Sequence, residues 1–488
     1  MTEVLDDLIA NRRNKLQGLL DLGVDPYPSV SERTHTNTQA LTEFDSLQGQ
    51  TITLVGRIRS LRTMGKLNFL HIEDGTARIQ VLLKADDLGE DKFKFFADFF
   101  DLGDFVQVTG TLFTTKTEEK TLQANDFKML AKSLRPLPSE HYGLEDIETK
   151  LRKRYLDILL DPEVKEIFVK KNKFWNSMRD FLTQRDFLEV QMPILEDTPG
   201  GAEAEPFVTH HNALDRDFYL RISLELPLKK MLVAGYEKVF EIGRIFRNEG
   251  ISTTHLQDYT QMEFYWAYGD FDKLMQFTQE MYQYIIQETF GSLEIESGGV
   301  VCDWSGEWTR VDYVELFREH TGIDLNVASD DELLSKAREL GAKVEDFAQR
   351  GRVIDLIFKK IRGNIPTNKP VFLINQPIEL EPLAKKNPDN PKTVQRMQIV
   401  AYGTELGKGF GELNDPIDQR ARFEDQMKLR EAGDNEAQML DEDYLEAMEY
   451  GMPLAAGFGL SERLFAVLAD RSVRETVIFP QMKSQNKN

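Results

Sequence analysis

Two stretches decide the fold of the larger part of this chain: Lys-Val-Phe-Glu-Ile-Gly-Arg-Ile-Phe-Arg at 238–247 and Tyr-Thr-Gln-Met-Glu-Phe-Tyr-Trp-Ala-Tyr at 259–268. Apolar residues recur with period two in both, which indicates β-strands with one buried face. The second strand then carries Glu263 and Tyr265 together on the face opposite its apolar residues. A carboxylate beside a phenol can hold an ammonium group, although a solvated hairpin is the alternative.

A third strand follows at 405–414, reading Glu-Leu-Gly-Lys-Gly-Phe-Gly-Glu-Leu-Asn. Its alternation places Lys408, Phe410 and Glu412 on one face and three glycines on the other. Glycine inside a strand is costly unless something must approach the backbone closely. The pattern therefore favours a ligand pocket over a plain strand.

A fourth glycine-rich strand, at 456–460, passes into a helix that we expect to begin near Ser461. Arg463 then lies in the first turn of that helix, where an arginine beside exposed backbone suits a terminal phosphate. A surface pair of Glu462 with Arg463 is the alternative.

Around these strands the pattern alternates between helical and β-like runs. The helical periodicity covers 163–185, 270–290, 330–362 and 416–432. This alternation predicts an α+β domain at 161–488, built on an antiparallel β-sheet flanked by helices.

The N-terminal part has a different organisation. An amphipathic helix is predicted at 3–22, within an N-terminal helical extension at 1–50. Five short strands and one helix, at 93–100, predict a small barrel of the OB type at 51–135. Its strands start at Thr51 and continue at 67–72, 78–83, 105–112 and 122–130. A charged linker at 136–160 joins the two parts, and a frayed tail is expected from Gln485 onward.

Composition narrows the class of protein. The 488 residues are 41% hydrophobic and 29% charged, as in globular proteins, and the net charge is −22. That charge argues against non-specific binding to DNA or to anionic membranes. Residues 51–135 contain 13 Lys and Arg and 12 Asp and Glu, so this segment is nearly neutral. If a polyanion binds to the chain, this segment is a better candidate for its site than the acidic remainder. The chain has a single cysteine, Cys302, its N-terminus is acidic, and no apolar run is long enough to span a membrane. These features predict a cytoplasmic protein.

Two barrel residues could recognise unpaired bases. If Leu70, Ile72 and the alternating apolar residues of the third strand fill the core, Phe69 and Gln80 point outward. An outward aromatic ring beside an amide can stack one base and read its edge. Packing of Phe69 against a neighbouring domain is an equal alternative.

Together these segments resemble the class II aminoacyl-tRNA synthetases, most closely the bacterial class II lysyl-tRNA synthetases, over nearly the whole chain. Residues 184–193 resemble the first class II motif, which lies at a dimer interface, and 458–463 resemble the third. The stretches 199–202, 207–215, 246–252 and 412–416 resemble signatures of the lysine enzymes.

The resemblance implies an ATP-dependent ligase that joins L-lysine to tRNA(Lys) through a lysyl-adenylate and works as a homodimer. It assigns catalysis to Arg247, Glu249, His255 and Arg463. It assigns ATP binding to the same four residues together with Tyr259, on adenine, and Glu405. For lysine it implies Gly201, Glu225, Arg247, Glu263, Tyr265, Lys408, Phe410 and Glu412. For the anticodon it implies Phe69, Gln80 and Glu119.

This sequence departs from the family at positions that bear on its chemistry. The family has two Mg²⁺-binding glutamates seven residues apart, whereas here Glu405 is kept and Gln398 replaces its partner. Mg²⁺ is therefore expected at Glu405, in a weaker site. Lys408 stands where the family has asparagine, and the third motif is one residue short. Asp186 replaces a glycine of the first motif.

Two other functions stay open. An aspartate or asparagine enzyme of the same subclass would share both domains, although its pocket would need cations where this one offers Glu225, Glu263 and Glu412. A non-catalytic tRNA-binding paralogue is supported only by Gln398 and Lys408.

Overall fold

The computed structural model describes residues 2–138, 144, 146–250, 252, 255–344 and 349–484. It separates into two compact units, Met1–Glu145 and Asp146–Asn488. The expected tail from Gln485 and residues 139–143 of the expected linker lie outside the described residues. In the part of the chain that is described, no helix is both long and apolar enough to cross a bilayer.

The first unit is a closed five-stranded barrel, as the alternation predicts. Its helices are α1 (Thr2–Asp21), α2 (Asn37–Thr42), α3 (Phe44–Leu47), α4 (Ala85–Leu88) and α5 (Glu90–Phe99). Its strands are β1 (Thr51–Met64), β2 (Leu67–Glu73), β3 (Arg78–Lys84), β4 (Phe105–Thr114) and β5 (Lys120–Ala131). They close in the order β1-β2-β3-β5-β4. Leu70, Ile72 and Val81 are fully buried inside, so the predicted inward set fills the core.

A buried ion network stabilises the barrel just after its last strand. Lys132 has no exposed side-chain surface, and its Nζ lies 2.7 Å from Asp104 and 2.6 Å from Asp101. The same ammonium donates to the Phe99 carbonyl at 2.8 Å. Loss of Lys132 would leave buried carboxylate charge without a partner.

The second unit contains eleven helices among its described residues. They are α6 (Ile147–Arg152), α7 (Arg154–Leu160), α8 (Pro162–Thr183), α9 (Glu225–Val233), α10 (Phe271–Phe290), α11 (Tyr313–Thr321), α12 (Asp330–Glu339), α13 (Arg350–Ile361), α14 (Pro416–Glu431), α15 (Glu442–Glu449) and α16 (Arg463–Leu468). The stretch predicted as helical at 330–362 is two helices, because α12 ends at Glu339 and Gly341 follows with a φ of +68°.

The strands of this unit form one large sheet and two small ones. They are β6 (Leu188–Glu189), β7 (Leu195–Glu196), β8 (Val208–His211), β9 (Arg216–Leu220), β10 (Lys238–Phe246), β11 (Asp258–Ala267), β12 (Glu294–Ser297), β13 (Val300–Asp303), β14 (Thr309–Asp312), β15 (Val371–Ile374), β16 (Arg396–Ala401), β17 (Thr404–Gly411) and β18 (Ala455–Ser461). Eight of them pair in the order β14-β15-β16-β17-β18-β11-β10-β6. The pairs are antiparallel except at the two edges, where β14 with β15 and β10 with β6 run parallel.

One face of the large sheet packs on α8 and α10 around Phe264, Phe458 and Tyr282. The fold class is therefore α+β, as predicted. Tyr268, expected on this apolar face, is 65% exposed instead, because β11 ends at Ala267 and Tyr268 turns away with a φ of +64°.

We expect Lys132→Met to lower the free energy of unfolding of the barrel by about 3–5 kcal/mol, since it leaves the buried carboxylate of Asp104 without its ion pair, while Asp101 keeps Lys15. The matched control is Lys128→Met, an exposed lysine of β5, which should change it by less than about 0.5 kcal/mol. Urea unfolding of the intact chain, followed by hydrogen exchange in β1 to β5, measures both. Equal stability of the two variants would contradict the role given to Lys132.

Candidate active site

Three adjacent strands form the floor of the candidate site. Glu263 of β11 pairs with Gly459 of β18, which in turn pairs with Lys408 of β17. Neighbouring strands lie about 4.8 Å apart, so the outer members of this row are about 10 Å apart across a glycine. A ligand the length of an amino acid fits between them.

A second row runs parallel to the first. Tyr265 pairs with Gly457, and Gly457 pairs with Phe410. A Cβ on Gly457 would lie 2.3 Å from Tyr265 Cε1 and 2.4 Å from Glu412 Oε1. The glycine of β18 is therefore required by the side chains on either side of it.

A cavity of about 140 Å³ opens above these rows. Ten of the residues singled out from the sequence line it: Gly201, Glu225, Arg247, Tyr259, Glu263, Tyr265, Glu405, Lys408, Phe410 and Arg463. Glu412 does not line it, because it is fully buried. The glycines of β17 also differ from expectation: Gly409 faces Phe458 and Leu274 of the core, so close packing rather than a ligand excludes a side chain there.

Glu263 is held rigidly at one end of the cavity. Ser223 Oγ donates to its Oε1 at 2.9 Å and the Leu224 amide donates at 3.1 Å. Tyr265 donates its hydroxyl to Oε2 at 2.9 Å, and Gln261 also donates to Oε1. Four donors fix the position of this carboxylate, and a carboxylate at the end of a cavity suits an ammonium ligand.

A buried cation lies beneath the same end. Lys229 has no exposed side-chain surface, and its Nζ is 2.5 Å from Glu225 Oε1 and forms a second ion pair with Glu412. Burial alone would lower the pKa of Lys229, but attraction to Glu225 and Glu412 raises it well above its usual value. Lys229 is therefore a permanent positive charge.

At the opposite end, the cavity adjoins a smaller one of about 120 Å³. Arg247, Tyr259 and Arg463 line both, and Glu249 and His255 line the smaller one. The Arg247 guanidinium lies 5.8 Å from the Tyr259 ring centre and donates to the Ile222 carbonyl at 3.2 Å. Burial, with the charge of Arg463 adding to it, lowers the pKa of His255. These cations and this ring can hold a planar base and phosphate groups.

Glu405 stands at the edge between this site and a larger cavity of about 710 Å³, which it also lines together with Gln398. Gln398 donates its amide to Glu405 Oε2 at 2.7 Å. One carboxylate oxygen is thereby occupied, and the other is left for a ligand. Within the described ranges no three His, Cys, Asp or Glu side chains gather as a metal cluster.

Lys408 pairs with Glu381, a carboxylate outside the acidic end. Its Nζ lies 3.5 Å from Glu381 Oε2 and 5.3 Å from the Phe410 ring centre, with 37% of the side chain exposed. Its position leaves it able to meet an anionic group.

The barrel residues form a polar patch on the outer face of β2 and β3. Gln80 donates to Glu119 Oε2 at 2.6 Å and accepts from Thr121 Oγ1 at 2.8 Å. The other oxygen of Glu119 lies 2.9 Å from His71 Nε2. Phe69 is partly exposed on the same face, whereas Gln80, expected to be exposed, is buried by these hydrogen bonds.

Several site residues were not found from the sequence. Ser223 and Gln261 hold Glu263, Lys229 neutralises two carboxylates, and Glu381 pairs with Lys408. The spacing of Glu225 and Lys229, four apart on one helix, was the available signal for Lys229.

Comparison with known proteins agrees with this geometry. Residues 146–483 match the family model of "tRNA synthetases class II (D, K and N)", and residues 52–130 match that of the "OB-fold nucleic acid binding domain".

Full-length relatives carry the same two parts. The chain is 42% identical over 489 residues to the Lysine--tRNA ligase of Thermoanaerobacter pseudethanolicus (strain ATCC 33223 / 39E), covering 99% of this chain and 98% of that protein. It is 40% identical over 494 residues to the Lysine--tRNA ligase of Bacillus subtilis (strain 168), with coverage of 99% and 98%. The chain therefore belongs to the class II tRNA synthetase family (D, K and N), with an OB-fold domain preceding the synthetase domain.

Proposed function

We propose that this protein activates L-lysine with ATP and transfers the lysyl group to tRNA(Lys). The observation that carries the proposal is the acidic end of the cavity, where Glu263 and Glu225 line the wall. Acidic groups there suit a cationic side chain, and the relatives named Lysine--tRNA ligase agree with that choice.

The reaction has two steps. An oxygen of the lysine carboxylate attacks the α-phosphorus of ATP, the bond to the β-phosphate breaks, and pyrophosphate leaves. A hydroxyl of the terminal adenosine of tRNA then attacks the lysyl carbonyl, and AMP leaves. No protein group forms a covalent bond in either step, so the protein positions the reactants and neutralises charge.

The residues around the smaller cavity would bind ATP. Arg247, which lines both cavities, would meet the α-phosphate and the lysine carboxylate. Tyr259 would stack on adenine, with Glu249 and His255 holding the adenylate and pyrophosphate portions. Arg463, which also lines both cavities, would meet the γ-phosphate. Because positive charge already faces the reacting oxygens, little reorganisation is needed in the transition state.

At the amino-acid end, the backbone of Gly201 and the carboxylate of Glu225 would hold the α-ammonium. Glu263, Tyr265, Phe410 and Glu412 would bind the side chain. An aspartate or asparagine substrate would place an acid or an amide against Glu263, which four hydrogen-bond donors hold in place. That substrate would leave the carboxylate unpaired.

The residues present fit Mg²⁺ bound together with ATP. Mg²⁺ is commonly held by one or two carboxylates plus substrate phosphates, and Glu405 keeps one oxygen free of Gln398. When bound there, Mg²⁺ would neutralise phosphate charge. Gln398 then positions Glu405 and adds no charge of its own.

We also propose that the barrel binds the anticodon, with Phe69 stacking on a base and Gln80 and Glu119 reading its edge. A homodimer is proposed from the exposed apolar side chains of Leu188, Ile194 and Leu195, beside the segment that resembles the first motif. A cytoplasmic location follows from the proposed reaction.

Amino-acid-dependent exchange of pyrophosphate into ATP, measured with each of the twenty amino acids, tests the function. Lysine alone should support exchange, and Mg²⁺ removal should stop it. Exchange with another amino acid in preference to lysine would refute the proposal.

We expect Arg247→Ala to abolish adenylate formation, because it removes charge stabilisation worth about 3 kcal/mol or more. Arg244→Ala is the control: this arginine lies on the same strand and pairs with Asp258 outside both small cavities. Its pyrophosphate exchange should be close to normal. Near-normal exchange in Arg247→Ala would overturn the assignment of the site.

Phe69→Ala should weaken charging of tRNA by about 1–3 kcal/mol, the value of one base stack, and leave tRNA-independent exchange intact. Phe105→Ala removes another partly exposed barrel ring, which faces Arg57, and should not affect charging. If exchange and charging fall together in Phe69→Ala, the ring has a structural role instead.

For Lys408 we expect the asparagine variant to keep lysine specificity with a modest loss of rate. Lys408→Glu should lower the rate by roughly a hundredfold or more, because like charges brought together cost several kcal/mol. Lys386→Asn, an exposed lysine paired with Asp418, is the control. A wild-type protein that prefers another amino acid, and that Lys408→Asn switches to lysine, would contradict this role.

A further inference from the structure

Lys229 belongs to a buried charge cluster that the proposed reaction does not explain. Its ammonium forms ion pairs with Glu225, which lines the cavity, and with Glu412, which is fully buried. Lys229 Nζ is also 5.7 Å from the Tyr265 ring centre. A lysine with no solvent contact pays a large cost of desolvation, so its retention between two carboxylates calls for an explanation.

Glu412 depends on that lysine. It is fully buried, and no described residue donates a hydrogen bond to its Oε1. The ion pair with Lys229 engages Oε2. Oε1 lies over Gly457 on the face that carries Tyr265, since a Cβ on Gly457 would contact both. Glu412 thus presents one unsatisfied oxygen to the glycine between Tyr265 and Phe410.

We propose that Lys229 is a positioning residue for amino-acid selection: it holds Glu412 by Oε2 and favours the ionised carboxylate, so that Oε1 stays available beside Gly457 for the side-chain ammonium of the substrate. The pocket then requires an ammonium group on the substrate side chain. This inference rests on the proposed activation of lysine and concerns how the side chain is chosen. Lys229 itself does not line the cavity and acts through Glu412.

Charged and titratable groups face the cluster from five parts of the chain. Glu225 lies on the same helix, Glu263 and Tyr265 come from β11, Glu412 follows β17, Tyr444 comes from α15, and Glu381 precedes β16. Burial raises the pKa of Glu412 to about 8, and Lys229 opposes that rise. Without Lys229 the pKa of Glu412 would rise further, so the carboxyl would ionise over a higher pH range than in the wild type.

The test compares Lys229→Met with Lys230→Met in the intact chain. Lys230 is the next residue of the same helix, and its partly exposed side chain pairs with Asp443. Pyrophosphate exchange gives the KM for lysine and for ATP between pH 6.5 and 9, where the enzyme tolerates it. L-Norleucine, which lacks the ε-ammonium, is added as an inhibitor of lysine-dependent exchange.

In Lys229→Met we expect the KM for lysine to rise by roughly thirtyfold or more at neutral pH, with the KM for ATP unchanged, since a buried charge pair has lost one partner. The KM for lysine should fall as the pH rises, and in Lys229→Met this fall should occur at a higher pH than in the wild type. Norleucine should inhibit more strongly relative to lysine. Lys230→Met should match the wild type in the KM values, in their pH dependence and in inhibition by norleucine.

A purely structural role would weaken lysine and norleucine equally, without shifting the pH dependence of the KM for lysine from that of the wild type, and that result would overturn the inference. Glu412→Gln with and without Lys229→Met supplies a second measurement: because Lys229 also pairs with Glu225, the double variant should lose more lysine affinity than Glu412→Gln alone but less than the sum of the two single losses. Additive losses would refute coupling between Lys229 and Glu412. If Lys229→Met does not fold, Lys229→Gln takes its place in every comparison. Absence of lysine-dependent exchange in the wild type would instead refute the proposed function itself.

Discussion

The site depends on the pairing of β18 between β11 and β17. Strand spacing fixes the distance between the outer strands, and glycine at 457 and 459 keeps the space between them open. Glu263 and Tyr265 then stand on one side, and Lys408 and Phe410 on the other. The backbone itself therefore sets the length of the ligand, and the side chains decide its charge.

Burial of acidic groups is the second constraint. Glu263 is satisfied by four hydrogen-bond donors, whereas Glu412 relies on an ion pair. These two arrangements leave different numbers of free carboxylate oxygens for a ligand, because each oxygen of Glu263 already accepts a hydrogen bond. Glu412 keeps an unsatisfied oxygen at the floor. The pocket thus combines Glu263, a rigidly held carboxylate, with Glu412, whose charge depends on Lys229 of the neighbouring helix α9.

Local pattern was enough to predict the barrel, the α+β class and the faces of the main strands. Glu263 and Tyr265 share a face because a strand has period two, and that rule needs no partner strand. The gathering of Arg247, Glu405 and Arg463 around one site was expected only from family resemblance. Strand order cannot be read from periodicity, since β17 and β11 meet through β18, which comes much later in the chain.

The remaining features needed the three-dimensional structure because they join distant segments. Lys229 sits in an ordinary amphipathic helix, and only the fold brings Glu412 to it. Gln80 followed the outward alternation of β3, but Glu119, from a loop 39 residues later, covers it. In β17 the glycine period was correct, although Gly409 turned out to face core side chains.

The glycine floor also limits how the substrate range of this pocket could be redesigned. Glycine is already the smallest residue, so no substitution at 457 or 459 can deepen the pocket. A bulkier amino acid, such as a lysine acylated on its side-chain nitrogen, would require a smaller residue at Tyr265 or Phe410, which line the sides of the cavity. Such an analogue carries no ammonium on its side chain, so Glu412 and Lys229 would have to be replaced together to keep the buried charges balanced.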